Sequence, residues 1–207
     1  MGRFPLRAVI GLTGPMCAGK NKAAEILEKR GFLVVDADKT AHQALEDMRT
    51  EVIATFGKIA REREIDLVLS DGRLNRTGLA RILFSDPALL ALHEAIVYPR
   101  INFLLGRFID EHPGQTLVIN APLLHKSPIL FRCDFIIFID AWTPVRFFRA
   151  LKRDKMHPFQ IFARFSAQKN LFAQYREKDV DIQRVLNTGS SRALEKGLAK
   201  LLSNRGY

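Results

Sequence analysis

Apolar and polar positions run along the chain in blocks whose period changes, and the changes mark the elements. Ala8 to Thr13 (AVIGLT) is a short apolar run of strand type that ends at Gly14. From Lys20 the apolar positions Ala23, Ala24, Ile26 and Leu27 recur at helical spacing until Gly31 stops them. Phe32 to Val35 reads as a second buried strand, followed by Asp36-Ala37-Asp38 and a helical pattern through Ala41, Leu45 and Met48.

Thr77 to Ile109 is long and mostly helical, with interruptions expected at Pro87 and Pro99. No convincing strand falls between Asp38 and Gly114. Alternation resumes with Thr116 to Asn120 (TLVIN), a loop at Pro122, and Phe135 to Asp140 (FIIFID). A helix is expected from Thr143-Pro144, where Thr caps and Pro suits the first turn. Gln183 to Leu186 predicts a last short strand, and Ser190 to Leu202 a closing helix with Leu194, Leu198 and Leu201 on one face. Strands without polar alternation, separated by helices, predict an α/β fold with a parallel sheet covered on both faces. The core is expected from residues 1–39 and 113–207, with a helical insertion at 40–112 and a lid at 153–170.

Composition removes several function classes. At 207 residues and 47% hydrophobic, the chain supports one sizeable core and is too apolar for disorder. No run approaches the roughly 18 uninterrupted apolar residues of a membrane-spanning helix, and Ala8 to Leu12 is too short for a secretory leader's core. A soluble protein is expected. Cys17 and Cys133 make neither a disulfide framework nor a zinc motif, which fits a reducing cytoplasm. Charge is unevenly spread: residues 1–140 hold 18 basic and 17 acidic side chains, leaving 14 against 5 for 141–207. A basic third of this kind is a solvated face, a nucleic-acid patch or a grip on small polyanions.

The strongest motif is Gly14-Pro15-Met16-Cys17-Ala18-Gly19-Lys20-Asn21, which follows the Walker A pattern G-x-x-x-x-G-K-[ST] except at its last position. A strand precedes it and a helix follows. Backbone N–H groups, the positive end of the helix and the Lys20 ammonium would together surround nucleotide phosphates. Gly14, Cys17, Ala18, Gly19, Lys20, Asn21 and Lys22 are therefore candidate ATP contacts. Asn21 stands where a hydroxyl usually completes the Mg²⁺ shell, and is the candidate metal ligand.

Beyond that loop the chain resembles the dephospho-CoA kinase family of P-loop kinases. The resemblance rests on Ile10-Gly-Leu-Thr-Gly14, Asp36-Ala-Asp38, Asp71-Gly-Arg-Leu-Asn-Arg76, Phe84-Ser-Asp-Pro87 and Ala95-Ile-Val-Tyr-Pro-Arg-Ile101. It continues through Ala121-Pro-Leu-Leu124, Arg153-Asp154, the Arg164 to Gln168 spacing and Leu186-Asn-Thr-Gly189. Departures include Pro15, Met16 and Asn21 in the loop, Tyr98 before Pro99, Asn120 where an acidic residue is usual, and His125-Lys126.

The resemblance implies a five-stranded parallel sheet and ATP-dependent phosphorylation of the ribose 3′-hydroxyl of dephospho-CoA. Kinases of another acceptor, such as a nucleoside monophosphate, and a nucleotide-binding relative with impaired catalysis are the alternatives. Asp38 is implied to face the acceptor hydroxyl, which also suits a carboxylate past a parallel strand's C-terminal end; capping the next helix is its other reading. Lys20, Arg153 and Arg164 are implied to stabilise the transferring phosphoryl group, with Arg149 beside the nucleotide and Gln168 as a polar helper. Asn187 is implied to border adenine, or else simply ends a strand in a turn. Asp36, Arg76, Tyr98 and Arg100 are expected on the acceptor. The expected partners are ATP, Mg²⁺ and dephospho-CoA, with no nucleic acid or membrane, in a monomer or weak homo-oligomer.

Overall fold

The computed structural model describes residues 7–154 and 157–207. The first strand, β1 (Val9–Thr13), leads through the phosphate loop into α1 (Lys20–Lys29), and β2 (Leu33–Asp36) follows. Next come α2 (Ala37–Asp47), α3 (Arg49–Glu62), α4 (Arg76–Leu83) and α5 (Pro87–Glu111). Strand β3 (Leu117–Asn120) precedes two short 3-10 turns and β4 (Phe135–Asp140). Helices α6 (Thr143–Asp154), α7 (Pro158–Ala167) and α8 (Leu171–Arg176) lead to β5 (Ile182–Leu186) and α9 (Ser191–Ser203).

The five strands form one parallel sheet in the order β2-β3-β1-β4-β5. Its three central strands have lost polar alternation because both their faces are covered. Every residue of β1 and β3 is buried, as is all of β4 up to Asp140. On one face α1 and α9 bring Ala23, Leu27, Leu194, Leu198 and Leu202 against Ile10, Leu12 and Ile137. Edge strand β5 keeps alternation, with Val185 buried and Arg184 and Leu186 exposed.

The chain divides into two compact units, the described residues of Met1–Asp36 with Phe108–Tyr207, and Ala37–Arg107. The second has its own core, in which Val52 and Phe56 of α3 pack with Leu79 and Ile82 of α4 and Val97 of α5. Its only irregular pairing among the described residues is a bridge between Val68 and Leu74.

Pro99 does not interrupt α5, contrary to the sequence expectation. The helix runs 25 residues through it, starting at Pro87, where a proline suits the first turn. Pro99 removes one backbone donor, and flanking residues packed into the core carry the helix across the gap. By length and mean hydropathy α5 also matches a membrane span, although no long stretch of it is free of charged residues. Charges interrupt it, and one of them, Arg100, is paired with Asp47 of α2 at 2.6 Å.

Candidate active site

The phosphate loop is built from its own backbone outward. Gly14 has φ 152°, and a Cβ there would lie 2.2 Å from the Ile139 carbonyl oxygen of β4. Gly19, at φ 101°, would place a Cβ 2.1 Å from the Asn187 amide nitrogen. Both positions therefore require glycine on two counts, left-handed backbone and close approach. Cys17 also adopts a left-handed conformation, φ 61°, which costs a side-chain-bearing residue about 1 kcal/mol. What holds it there is packing: Met16 and Cys17 sit against Ala150, Ile161 and Phe165 of α6 and α7.

Polar side chains fix the loop at each step. The Met16 N–H donates to Gln168 Oε1 at 2.7 Å, and the Met16 carbonyl accepts from Arg146 Nε at 2.9 Å. Arg149 Nη1 reaches the Cys17 and Ala18 carbonyls, each at 3.4 Å, and its Nη2 donates to the Asn187 carbonyl at 3.0 Å. The Asn187 amide donates to the Ala18 carbonyl at 2.7 Å. Apart from the Arg149 bond to Asn187, these contacts take the loop's carbonyls or the N–H of Met16. The backbone N–H groups at the positive end of α1 are the donors a phosphate cradle uses.

Lys20 Nζ donates to Asn120 Oδ1 at 2.6 Å, and Asn120 is 2% exposed at the C-terminal end of β3. Asp36 pairs in register with Asn120 across β2 and β3, so a carboxylate stands one strand away. Beneath the loop, Thr13 donates to the Pro122 carbonyl and accepts from the Tyr175 hydroxyl at 2.9 Å. The His125 N–H in turn donates to that hydroxyl at 3.2 Å. Burial pushes the Tyr175 phenol up to about 12. Burial also lowers the pKa of the His125 imidazole, aided by Lys126 and Lys178.

Several expected contacts are committed elsewhere. Lys22, expected beside the nucleotide, pairs with Glu25 at 2.7 Å on the exposed face of α1, an i,i+3 pair. Arg149 and Asn187 hold loop carbonyls, so here they position the cradle. Gln168 does the same from outside. Asn21 is exposed in the first turn of α1.

Within the helical unit, Arg100 is held by Asp47, and Tyr98 donates to Glu94 at 3.3 Å. Burial, with Glu94 adding to it, pushes the Tyr98 phenol up to about 12. Arg76 is exposed at the start of α4, which is capped by Asn75. Asp38 is exposed inside the first turn of α2 and not at its cap, because the helix already begins at Ala37. Arg153 on α6 and Arg164 on α7 are exposed. Lys155 and Met156, within the expected lid, lie outside the described residues.

Arg146 does more than its place in a basic run signals. It is buried to 8% exposure, stacks over the Phe165 ring at 4.2 Å and carries the Met16 carbonyl. Its three-residue spacing from Arg149 on α6 was the available signal, since both then lie on one helical face.

A sequence model of the family described as dephospho-CoA kinase matches residues 8–190. The chain belongs to the dephospho-CoA kinase family. A dephospho-CoA kinase from Treponema denticola is 36% identical over 203 residues, covering 96% of this chain and 91% of that relative. One from Treponema pallidum is 34% identical over 205 residues, covering 98% and 96%. Among solved structures, a Thermus thermophilus protein aligns at TM-score 0.78 with 29% identity, covering 96% of this chain and 97% of the other. A dephospho-CoA kinase from Campylobacter jejuni aligns at 0.66 with 20% identity over 97% and 98%, a likeness of fold. Shikimate kinase from Acinetobacter baumannii shares the fold at 0.54 and 16%, covering 98% and 96%. The parallel sheet, phosphate loop and flanking helices of this family member are thus those of a P-loop kinase.

Proposed function

We propose that this chain transfers the γ-phosphoryl group of ATP to the ribose 3′-hydroxyl of dephospho-CoA, giving CoA and ADP, the last step of CoA synthesis. The observation that carries this reading is the tethered phosphate loop with Lys20 at its mouth, in a chain that matches the dephospho-CoA kinase family over residues 8–190.

ATP fits the cradle. The loop's backbone donors lie at the positive end of α1, and its conformation is fixed before nucleotide arrives by Gln168, Arg146, Arg149 and Asn187. Lys20 leaves Asn120 for the β- and γ-phosphate oxygens. Arg153 and Arg164 close on the transferring group, where guanidinium forks match phosphoryl oxygens. Asp38 orients the acceptor hydroxyl, and Asp36, Arg76, Tyr98 and Arg100 serve the acceptor, the last two after leaving Glu94 and Asp47. The transition state is loose, so positioning and charge stabilisation carry the rate.

Mg²⁺ bound with ATP would neutralise charge on the β- and γ-oxygens. Such sites take one or two protein oxygens beside phosphates and waters, and the Asn21 side-chain oxygen in the first turn of α1 would be the protein donor for it. The enzyme works in the cytoplasm as a monomer or weak homo-oligomer.

Purified protein incubated with ATP, Mg²⁺ and dephospho-CoA should yield CoA and ADP in equal amounts. Product from nucleoside monophosphates in place of dephospho-CoA would reassign the acceptor. Nucleotide-dependent thermal stabilisation without turnover would make the chain a binding relative, and recovery in Asn21→Ser would locate the defect.

A further inference from the structure

A cavity of about 590 Å³ borders the phosphate loop at Pro15 and lies between the end of β4, Arg184 of β5, the start of α6, and helices α7 and α8. Its walls carry Trp142, Phe162 and Phe172, the first two 66% and 57% exposed. Large apolar rings are costly to leave in water, and here they line one concave space. Neither Arg149 nor Asn187, which hold the loop's other side, lines it.

Among the described residues its charged lining is cationic: Arg146, Lys169 and Arg184 against the carboxylate of Asp140. That carboxylate already accepts from the Ala141 N–H and from Arg184. Arg146 is more than nine-tenths buried, and its Nη2 has no hydrogen-bond partner among the described residues. A buried guanidinium nitrogen without a partner is expensive, and an anion is the natural complement.

We propose that this cavity is a second ligand site, taking a planar aromatic anion of the nucleoside monophosphate class. The base stacks between Trp142 and Phe162, and the phosphate is held by Arg146, Lys169 and Arg184. Three cations and one carboxylate leave about two positive charges, close to the −1.5 to −2 of a phosphate monoester at neutral pH. The volume lies within the range of small-ligand pockets. Arg146 and Gln168 also hold Met16, so an occupant touches the two side chains that set the phosphate loop. The site's chemistry is independent of the acceptor the enzyme phosphorylates.

Trp142 is the only tryptophan in the chain, so its fluorescence reads the site directly. AMP should quench it saturably, with adenosine and inorganic phosphate each much weaker. The AMP response should persist in Lys20→Ala, which impairs the phosphate cradle. It should weaken about tenfold in Lys169→Ala and in Phe162→Ala, the loss of about 1.4 kcal/mol each. Lys169 is exposed, so its variant folds whatever Phe162→Ala does. Absence of quenching at millimolar AMP would overturn the proposal. So would quenching that vanishes in Lys20→Ala and survives in Lys169→Ala, which would place AMP in the cradle.

Discussion

The Lys20 ammonium rests on the side-chain oxygen of Asn120, 2.6 Å away, with Asn120 buried at the end of β3. The amide oxygen holds the lysine by a hydrogen bond but carries no net charge, so it competes with phosphate less than a carboxylate, whose full negative charge would add its Coulomb attraction. Asn120→Asp should therefore raise KM for ATP about tenfold in initial-rate measurements, and Lys20→Ala should lower kcat at least about a hundredfold.

Asn187 and Arg149 both donate to the Ala18 carbonyl. Removing either leaves a carbonyl with a remaining partner, and removing both orphans it, so the two losses couple. Each alanine variant should raise KM for ATP and lower stability by about 1 kcal/mol, with the double variant losing about 1 kcal/mol beyond the sum. Denaturant titration of the four proteins measures the coupling. Gly19→Ala should abolish nucleotide binding through both its φ and its clash with Asn187.

The basic third divides by position. Arg153→Ala and Arg164→Ala should each lower kcat/KM for ATP at least about tenfold if they close on phosphates. Lys196→Ala and Lys200→Ala, exposed on α9, should leave it unchanged. Equal effects across the four would return the whole block to solvated surface.

Tyr175 makes stability sensitive to alkali. In the unfolded chain its phenol ionises near 10, while in the native protein burial pushes it up to about 12. The native state therefore holds the proton more tightly. Its contribution is fully present below pH about 10 and is lost as pH rises towards about 12. Melting temperature should fall across that window. Tyr175→Phe should flatten the fall while lowering stability at pH about 8 by about 1 kcal/mol, the hydroxyl's bond to Thr13 being lost. The slope will not vanish, because burial also pushes Tyr98 and Cys133 up to about 12.

Much of this molecule is legible along the chain. Runs such as FIIFID are buried on both faces, and that alone calls for a parallel sheet with helices above and below. The loop from Gly14 to Asn21 carries its chemistry in its backbone, so its spacing announces it wherever it occurs. Pro99 misled because a proline's local cost is small beside the burial of the apolar residues around it, and packing decides such contests.

The sequence by itself determined the strands, the phosphate loop and the family, because period, spacing and glycine positions are properties of neighbouring residues. Only the tertiary structure decided what each cation does. Arg146, Arg149 and Arg153 look alike on paper, but the first is buried and holds the Met16 carbonyl, the second holds three carbonyls and the third is exposed. A charge's role depends on which distant backbone groups lack partners, and those groups meet it only once the chain has folded.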